Sequence, residues 1–198
     1  MAGAFVRRSS LAIEARRDHR RRRSLRWRAV ARILIVGGGC SGRELAARMV
    51  GDGHAVRITT REERGREEIE RSGAECWIGT PDRLATMRGA LDHVTIACWM
   101  LAGANGEPAQ LQDLHGSRLE FFLSQAIDTT VRGFVYDPTP GGSVPSELLA
   151  SGAAIVERMT ELNAIPAAVI DLEQGRAEQA AWVDAAVNAI DGLLSGES

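Results

Sequence analysis

Short apolar runs alternate along this chain with segments of helical period. Ile33 to Val36 is an uninterrupted β-branched and leucine run, followed by apolar positions at Leu45, Ala46, Met49 and Val50 whose spacing predicts a helix. A Gly51-Asp52-Gly53 turn leads to a second strand, Ala55 to Thr60. Glu62 to Arg71 reads as a polar helix stopped by Ser72-Gly73, and Ala74 to Gly79 as a short strand. Thr80-Pro81-Asp82 is expected to open a helix through Met87, with proline in its first turn. Leu91 to Cys98 reads as the fourth strand, Trp99 to Pro108 as a glycine-rich loop, and Ala109 or Leu114 to Ile127 as a helix. Val131 to Tyr136 reads as the fifth strand, and Asp137 to Pro145 as a loop that cannot be helical. A serine-capped helix from Ser146 to about Leu162, a short strand from Ala167 to Asp171 and a closing helix from Gln179 to Leu194 complete the pattern.

Six strands in alternation with helices predict an α/β fold, a doubly wound parallel sheet of Rossmann type in the order 3-2-1-4-5-6. Crossovers are expected to be right-handed. Residues 32–198 form a single domain with little sequence left for a separate substrate domain. Any substrate is therefore expected on loops at the carboxyl ends of the strands.

The first β-α-β unit carries the chemistry. Its strand enters Gly37-Gly38-Gly39-Cys40-Ser41-Gly42, which fits G-x-G-x-x-G. Gly37 would allow a sharp turn, Gly39 a close approach of backbone to a pyrophosphate, and Gly42 close packing of helix on strand. Free N–H groups at the helix start would then hold phosphates. Binding of NAD or FAD through such a unit usually needs a carboxylate near the end of the second strand, but Thr59, Thr60 and Arg61 stand there. No acid appears before Glu62 and Glu63. Arg61, with Thr60 beside it and Arg64 or Arg66 as helpers, favours the 2′-phosphate of NADP over NAD. The missing acid also counts against FAD and S-adenosylmethionine. A second reading makes Arg61 one more solvated charge in the mixed run from Arg61 to Arg71.

Charge divides the chain. Residues 1–31 hold ten arginines against Glu14 and Asp18, a net charge of +8, and the remainder carries −10. The acidic domain is a poor candidate for nucleic-acid binding. No lysine occurs anywhere, which removes every mechanism that needs a lysine base or Schiff base. Cys40, Cys76 and Cys98 lack metal-ligand spacing and cannot all pair, so no metal site is expected and a cytoplasmic, reducing location is. No run approaches the roughly 18 apolar residues of a membrane helix. The Arg- and Ser-rich segment 1–31 lacks an uninterrupted apolar core, so it does not read as a secretory signal. Transit peptides share its composition, and a basic arm touching nucleic acid is another option. The expectation is a disordered tail or a start-site artefact, with Val30 marking the start.

The glycine loop, the Thr59-Thr60-Arg61 strand end, and the run Gly73 to Leu84 (GAECWIGTPDRL) followed by Gly89 to Val94 (GALDHV) resemble the short-chain dehydrogenase/reductase superfamily. The resemblance is to its atypical, extended branch of NAD(P)-binding proteins related to nucleotide-sugar epimerases, and covers residues 32–137. It implies that Gly37, Gly39, Cys40, Ser41 and Gly42 meet the pyrophosphate, and Thr60 and Arg61 the adenosine ribose. Thr80 and Asp82 would lie near the adenine, and Ala97, Cys98 and Trp99 near the nicotinamide. Catalysis in that superfamily rests on Tyr-x-x-x-Lys. The single tyrosine here is Tyr136, with Pro140 four residues on. The dyad is absent, not displaced.

Three catalytic candidates remain, each with a structural alternative. Cys98 ends the fourth strand as a nucleophile or acid, or as a small core residue. Tyr136 is a proton donor with Asp137 as its partner, or a packed aromatic. His115 is an acid–base near the cofactor, or a partly exposed histidine early in a helix. His93, placed within a strand, and His54, placed in a turn, read as structural. Trp182 with Val183, Ala186 and Ile190 reads as core. Three functions fit: an NADP-dependent oxidoreductase with an unusual proton donor and an unidentified small-molecule substrate, a non-catalytic NADP(H) sensor, or a structural domain acting through a protein partner. The last two helices offer a surface for a homodimer.

Overall fold

The computed structural model describes residues 30–170, 172 and 178–196. Residues 1–29, on which the tail and start-site readings fall, lie outside the described residues. The elements in chain order are β1 (Arg32–Val36), α1 (Cys40–Gly51), β2 (Ala55–Thr60), α2 (Arg66–Arg71), β3 (Glu75–Ile78), β4 (Ile96–Trp99), α3 (Pro108–Leu114), α4 (Ser117–Ile127), β5 (Gly133–Tyr136), α5 (Ser146–Leu162), β6 (Ala167–Val169) and α6 (Gln179–Ser195). All six strands pair in parallel, in the order β3-β2-β1-β4-β5-β6. This is the doubly wound sheet the alternation of elements implies.

Alternation along β1 sorts the core into two layers. Ile33 and Ile35 face α1 and α6, where they pack with Leu45, Met49, Trp182, Val183, Ala186 and Ile190. Leu34 and Val36 face α4 and α5, packing with Trp99, Phe122, Phe134, Tyr136 and Val156. A parallel sheet covered on both faces needs apolar residues at consecutive positions, which is why β1 reads as an unbroken run.

The structure corrects several element boundaries. No α-helix follows Pro81; a Thr80–Arg83 bridge and two short 3-10 turns, Leu84–Thr86 and Arg88–Leu91, stand there. The Thr80 hydroxyl accepts the Asp82 N–H at 3.2 Å, and the Thr86 hydroxyl accepts the Thr80 N–H and donates to Arg83 O. Such local side-chain bonds compete with a helix for the same backbone groups. β4 starts at Ile96, not Leu91, because Leu91 closes a 3-10 turn and His93 adopts φ 61°. His93 therefore precedes the strand. The long helix ending at Ile127 is two helices, broken at His115-Gly116.

Candidate functional site

A cleft of about 480 Å³ opens at the carboxyl ends of β1, β2 and β3, bounded by the first turn of α1, the loop after β4 and the start of α4. Its floor is the glycine loop. Gly37 adopts φ +135°, and a Cβ there would lie 2.6 Å from Met100 O. At Gly42 a Cβ would lie 2.0 Å from Gly37 O, so α1 rests directly on the turn leaving β1. Gly39 differs: nothing lies within 4 Å of its Cβ position, which is open. No side chain caps α1 and no acid occupies its first turn. Its first N–H groups, which lack intrahelical acceptors, are therefore offered with the positive end of the helix dipole. Arg43 braces the loop by donating to Gly38 O at 2.8 Å while pairing with Glu68 at 3.0 Å.

Cys40, Ser41, Thr60, Arg61, Thr80 and Asp82 all line the cleft with Gly37, Gly39 and Gly42. The arginines after β2 divide sharply. Arg64 pairs with Glu62 at 2.7 Å, and Arg66 pairs with Glu63 and, at 3.3 Å, with Glu70. The Arg66 guanidinium holds the Glu63 carboxyl below the usual carboxylate range. The two supposed helpers are thus already matched by carboxylates. Arg61 is exposed, lines the cleft, and has no ion-pair partner among the described residues. Asp82 accepts from the Thr80 hydroxyl at 3.1 Å and forms an ion pair with Arg118 at the start of α4. Arg118 lines the cleft too, and the sequence reading missed it. Its only signal was a charge in the first turn of a helix, and nothing local says that this turn faces β3.

The positions assigned to the nicotinamide side need correction. Ala97, Cys98 and Trp99 are fully buried and do not line the cleft. β4 runs through Trp99, which pairs with Val36 on one side and Tyr136 on the other. The first residues clear of the sheet are Met100 and Leu101, which form the wall with Gly103 and Ala104. Cys98 is a core residue, and burial pushes its thiol pKa up. It has the small-residue role, not the nucleophile's.

Tyr136 and His115 also lie inside. The Tyr136 hydroxyl is 2.8 Å from His115 Nδ1 and 3.2 Å from Leu149 O, and burial raises its pKa. Its hydroxyl partners do not include Asp137, which is buried and accepts the Thr139 N–H at 3.0 Å. His115 is 1 % exposed instead of partly exposed, because the break at Gly116 turns it inward. Desolvation lowers its pKa. Neither side chain lines the cleft. The loops after β4 and β5 close on one another beside it. Gly142 sits against the Gly103 backbone, Ser143 donates to Asn105 at 2.7 Å, and Ala102, Leu111, Val144 and Leu149 bury a small apolar cluster beneath. Among the described residues of this far wall, from Met100 to Leu114 and at Gly141, no titratable side chain faces the cleft.

No protein-family model matches the chain, and no curated protein does. Solved structures do match. A UDP-glucose 4-epimerase from the hyperthermophilic eubacterium Thermotoga maritima, with UDP-glucose, matches at a TM-score of 0.59 and 17% identity, over 70% of this chain and 54% of its own. A short-chain dehydrogenase/reductase superfamily protein from Agrobacterium tumefaciens with bound NAD gives 0.58 and 16%, over 84% and 62%. The chain has their Rossmann fold. A short-chain dehydrogenase from Rhodopseudomonas palustris, at 0.57 and 15% identity, is matched over 80% of this chain and 90% of its own. Against the epimerase this Rossmann chain spans little more than half the length.

Proposed function

We propose that this chain is a nicotinamide-dinucleotide-binding protein that prefers NADP(H). One observation carries the reading: an open glycine loop on an uncapped helix start shares its cleft with an unpaired arginine at the end of β2. The residues fit the group. Gly39 leaves room for a pyrophosphate against the N–H groups of α1, and Arg61 is available to a 2′-phosphate without first breaking an ion pair. Thr60 would contribute a hydroxyl, and Thr80 and Asp82 would border the adenine. A nucleotide held there would supply hydride-transfer chemistry. The epimerase and dehydrogenase structures that share the fold support a nucleotide of this class.

The far wall favours holding this nucleotide over turning it over. Met100, Leu101, Gly103 and Ala104 offer no proton donor, and the Tyr136–His115 pair is sealed behind them. A sensor or carrier of NADP(H) redox state fits this arrangement. An oxidoreductase would have to act on a substrate that needs no proton from the protein. Three free thiols fit a reducing cytoplasm, and no described helix is long and apolar enough to cross a membrane.

A thermal-shift series tests the reading. NADPH and NADP⁺ are expected to raise the melting temperature well above the effect of NADH, NAD⁺ or FAD, since ligand at a hundredfold its Kd stabilises by about 2.7 kcal/mol. NADPH oxidation with carbonyl, quinone and nucleotide-sugar compounds is expected to stay at background. No shift with any nucleotide refutes binding, whereas turnover refutes only the non-catalytic role.

A further inference from the structure

We infer that His115 is a positioning residue for the nicotinamide end of the cleft, acting through the carbonyl of Leu101. The inference rests on the NADP(H) reading and deepens it. Leu101, Gly103 and Ala104 form the far wall, and they belong to one turn, closed by the Ala104 N–H donating to Leu101 O at 2.9 Å. The same carbonyl lies 3.3 Å from His115 Nε2. His115 does not touch the cleft; it grips the atom that closes the turn, from behind.

The rest of the arrangement fixes which nitrogen carries the proton. A carbonyl can only accept, so Nε2 is the protonated nitrogen and donates to Leu101 O. Nδ1 then accepts the single proton of the Tyr136 phenol, 2.8 Å away, in preference to Leu149 O, the more distant acceptor at 3.2 Å. Burial lowers the pKa of the imidazole and raises that of the phenol, which keeps both neutral in this pattern. Tyr136 is itself held. Its hydroxyl sits in a notch of α5 beside Leu149 O, where a Cβ on Gly152 would come within 2.1 Å of it. A line of two hydrogen bonds thus runs from the end of β5, through the α3–α4 junction, to the turn after β4.

An apolar side chain would fill the same interior space with no polar groups to satisfy. What the His–Tyr pair adds is direction, because a hydrogen bond specifies where one carbonyl points and packing does not. The pair has the composition of an acid–base dyad, yet Nε2 meets a backbone carbonyl and not the open cleft. Its role is therefore mechanical. The phosphate half of the site is built from the glycine loop, α1 and Arg61, and the hydrogen bonds of His115 go to Tyr136 and Leu101 instead.

Separate ligands for the two halves test this in the full chain. His115→Leu is expected to weaken NADPH about five- to tenfold, the worth of one lost hydrogen bond and a loosened turn. Binding of 2′-phospho-ADP-ribose, which lacks the nicotinamide, is expected to stay within twofold. His115→Gln, whose amide N–H can donate to the same carbonyl, should recover most of the NADPH affinity. Equal losses on both ligands, or no loss on NADPH, overturn the inference. If His115→Leu does not fold, Tyr136→Phe decides: it frees the imidazole from its orienting partner, so a loss confined to NADPH supports the role and unchanged or equal losses reject it. Wild-type protein that binds neither ligand refutes the NADP(H) reading instead.

Discussion

Arg61→Ala is expected to weaken NADPH about ten- to a hundredfold while leaving NADH within twofold, a range set by charge-assisted hydrogen bonds to a phosphate. The contrast follows from the carboxylates around it. Glu62, Glu63 and Glu70 already engage Arg64 and Arg66, so neither neighbour is free to replace Arg61. Arg61 also lies in the exposed part of the cleft, where salt screens charges, so the preference for NADPH should shrink as ionic strength rises. Arg61→Lys keeps the charge but loses the planar fork, and should fall between wild type and alanine. Equilibrium titrations with NADPH and NADH check this; parallel losses of both nucleotides would reject the 2′-phosphate role.

Gly42→Ala and Gly39→Ala are expected to fail in opposite ways. At Gly42 the added methyl would sit 2.0 Å from Gly37 O and 3.3 Å from Gly37 C. Both are backbone atoms of the turn leaving β1, so α1 must lift away from the sheet. Such overpacking typically costs about 1–3 kcal/mol, and here it displaces the N–H groups that face the cleft as well. Lowered thermal stability and lost nucleotide binding should therefore appear together. Gly39→Ala meets nothing in the protein, and its melting temperature should stay near wild type. Its methyl occupies the open space assigned to the pyrophosphate, so NADPH alone should suffer. Thermal melts paired with titrations on both variants separate packing from binding. A Gly39→Ala protein with full affinity would contradict the place given to the phosphates.

These contrasts show which parts of the molecule could be read from local sequence. The β1-α1-β2 unit was legible because its requirements are local: an unbroken apolar run for a strand covered on both faces, glycines at fixed spacing, and a helix with one apolar stripe. Sheet order followed from the alternation of strands and helices and the handedness of crossovers. The stretch from Thr80 to Leu91 was misread because Thr80 and Thr86 hydroxyls capture backbone groups that a helix needs, and residue type alone does not say which bond wins. Ala97 to Trp99 were misplaced by a register that pairing with Val36 and Tyr136 sets, not composition. Tertiary placement also decided His115 and Arg118. One turns inward because the helix breaks at Gly116, and the other faces the cleft because α4 starts opposite the turn after β3.

Calorimetric titration of the full chain with NADPH tests the central claim most directly. The expected result is saturable binding at one site per chain, abolished by Gly42→Ala and competed by 2′-phospho-ADP-ribose. A flat titration with folded protein and millimolar nucleotide would contradict it.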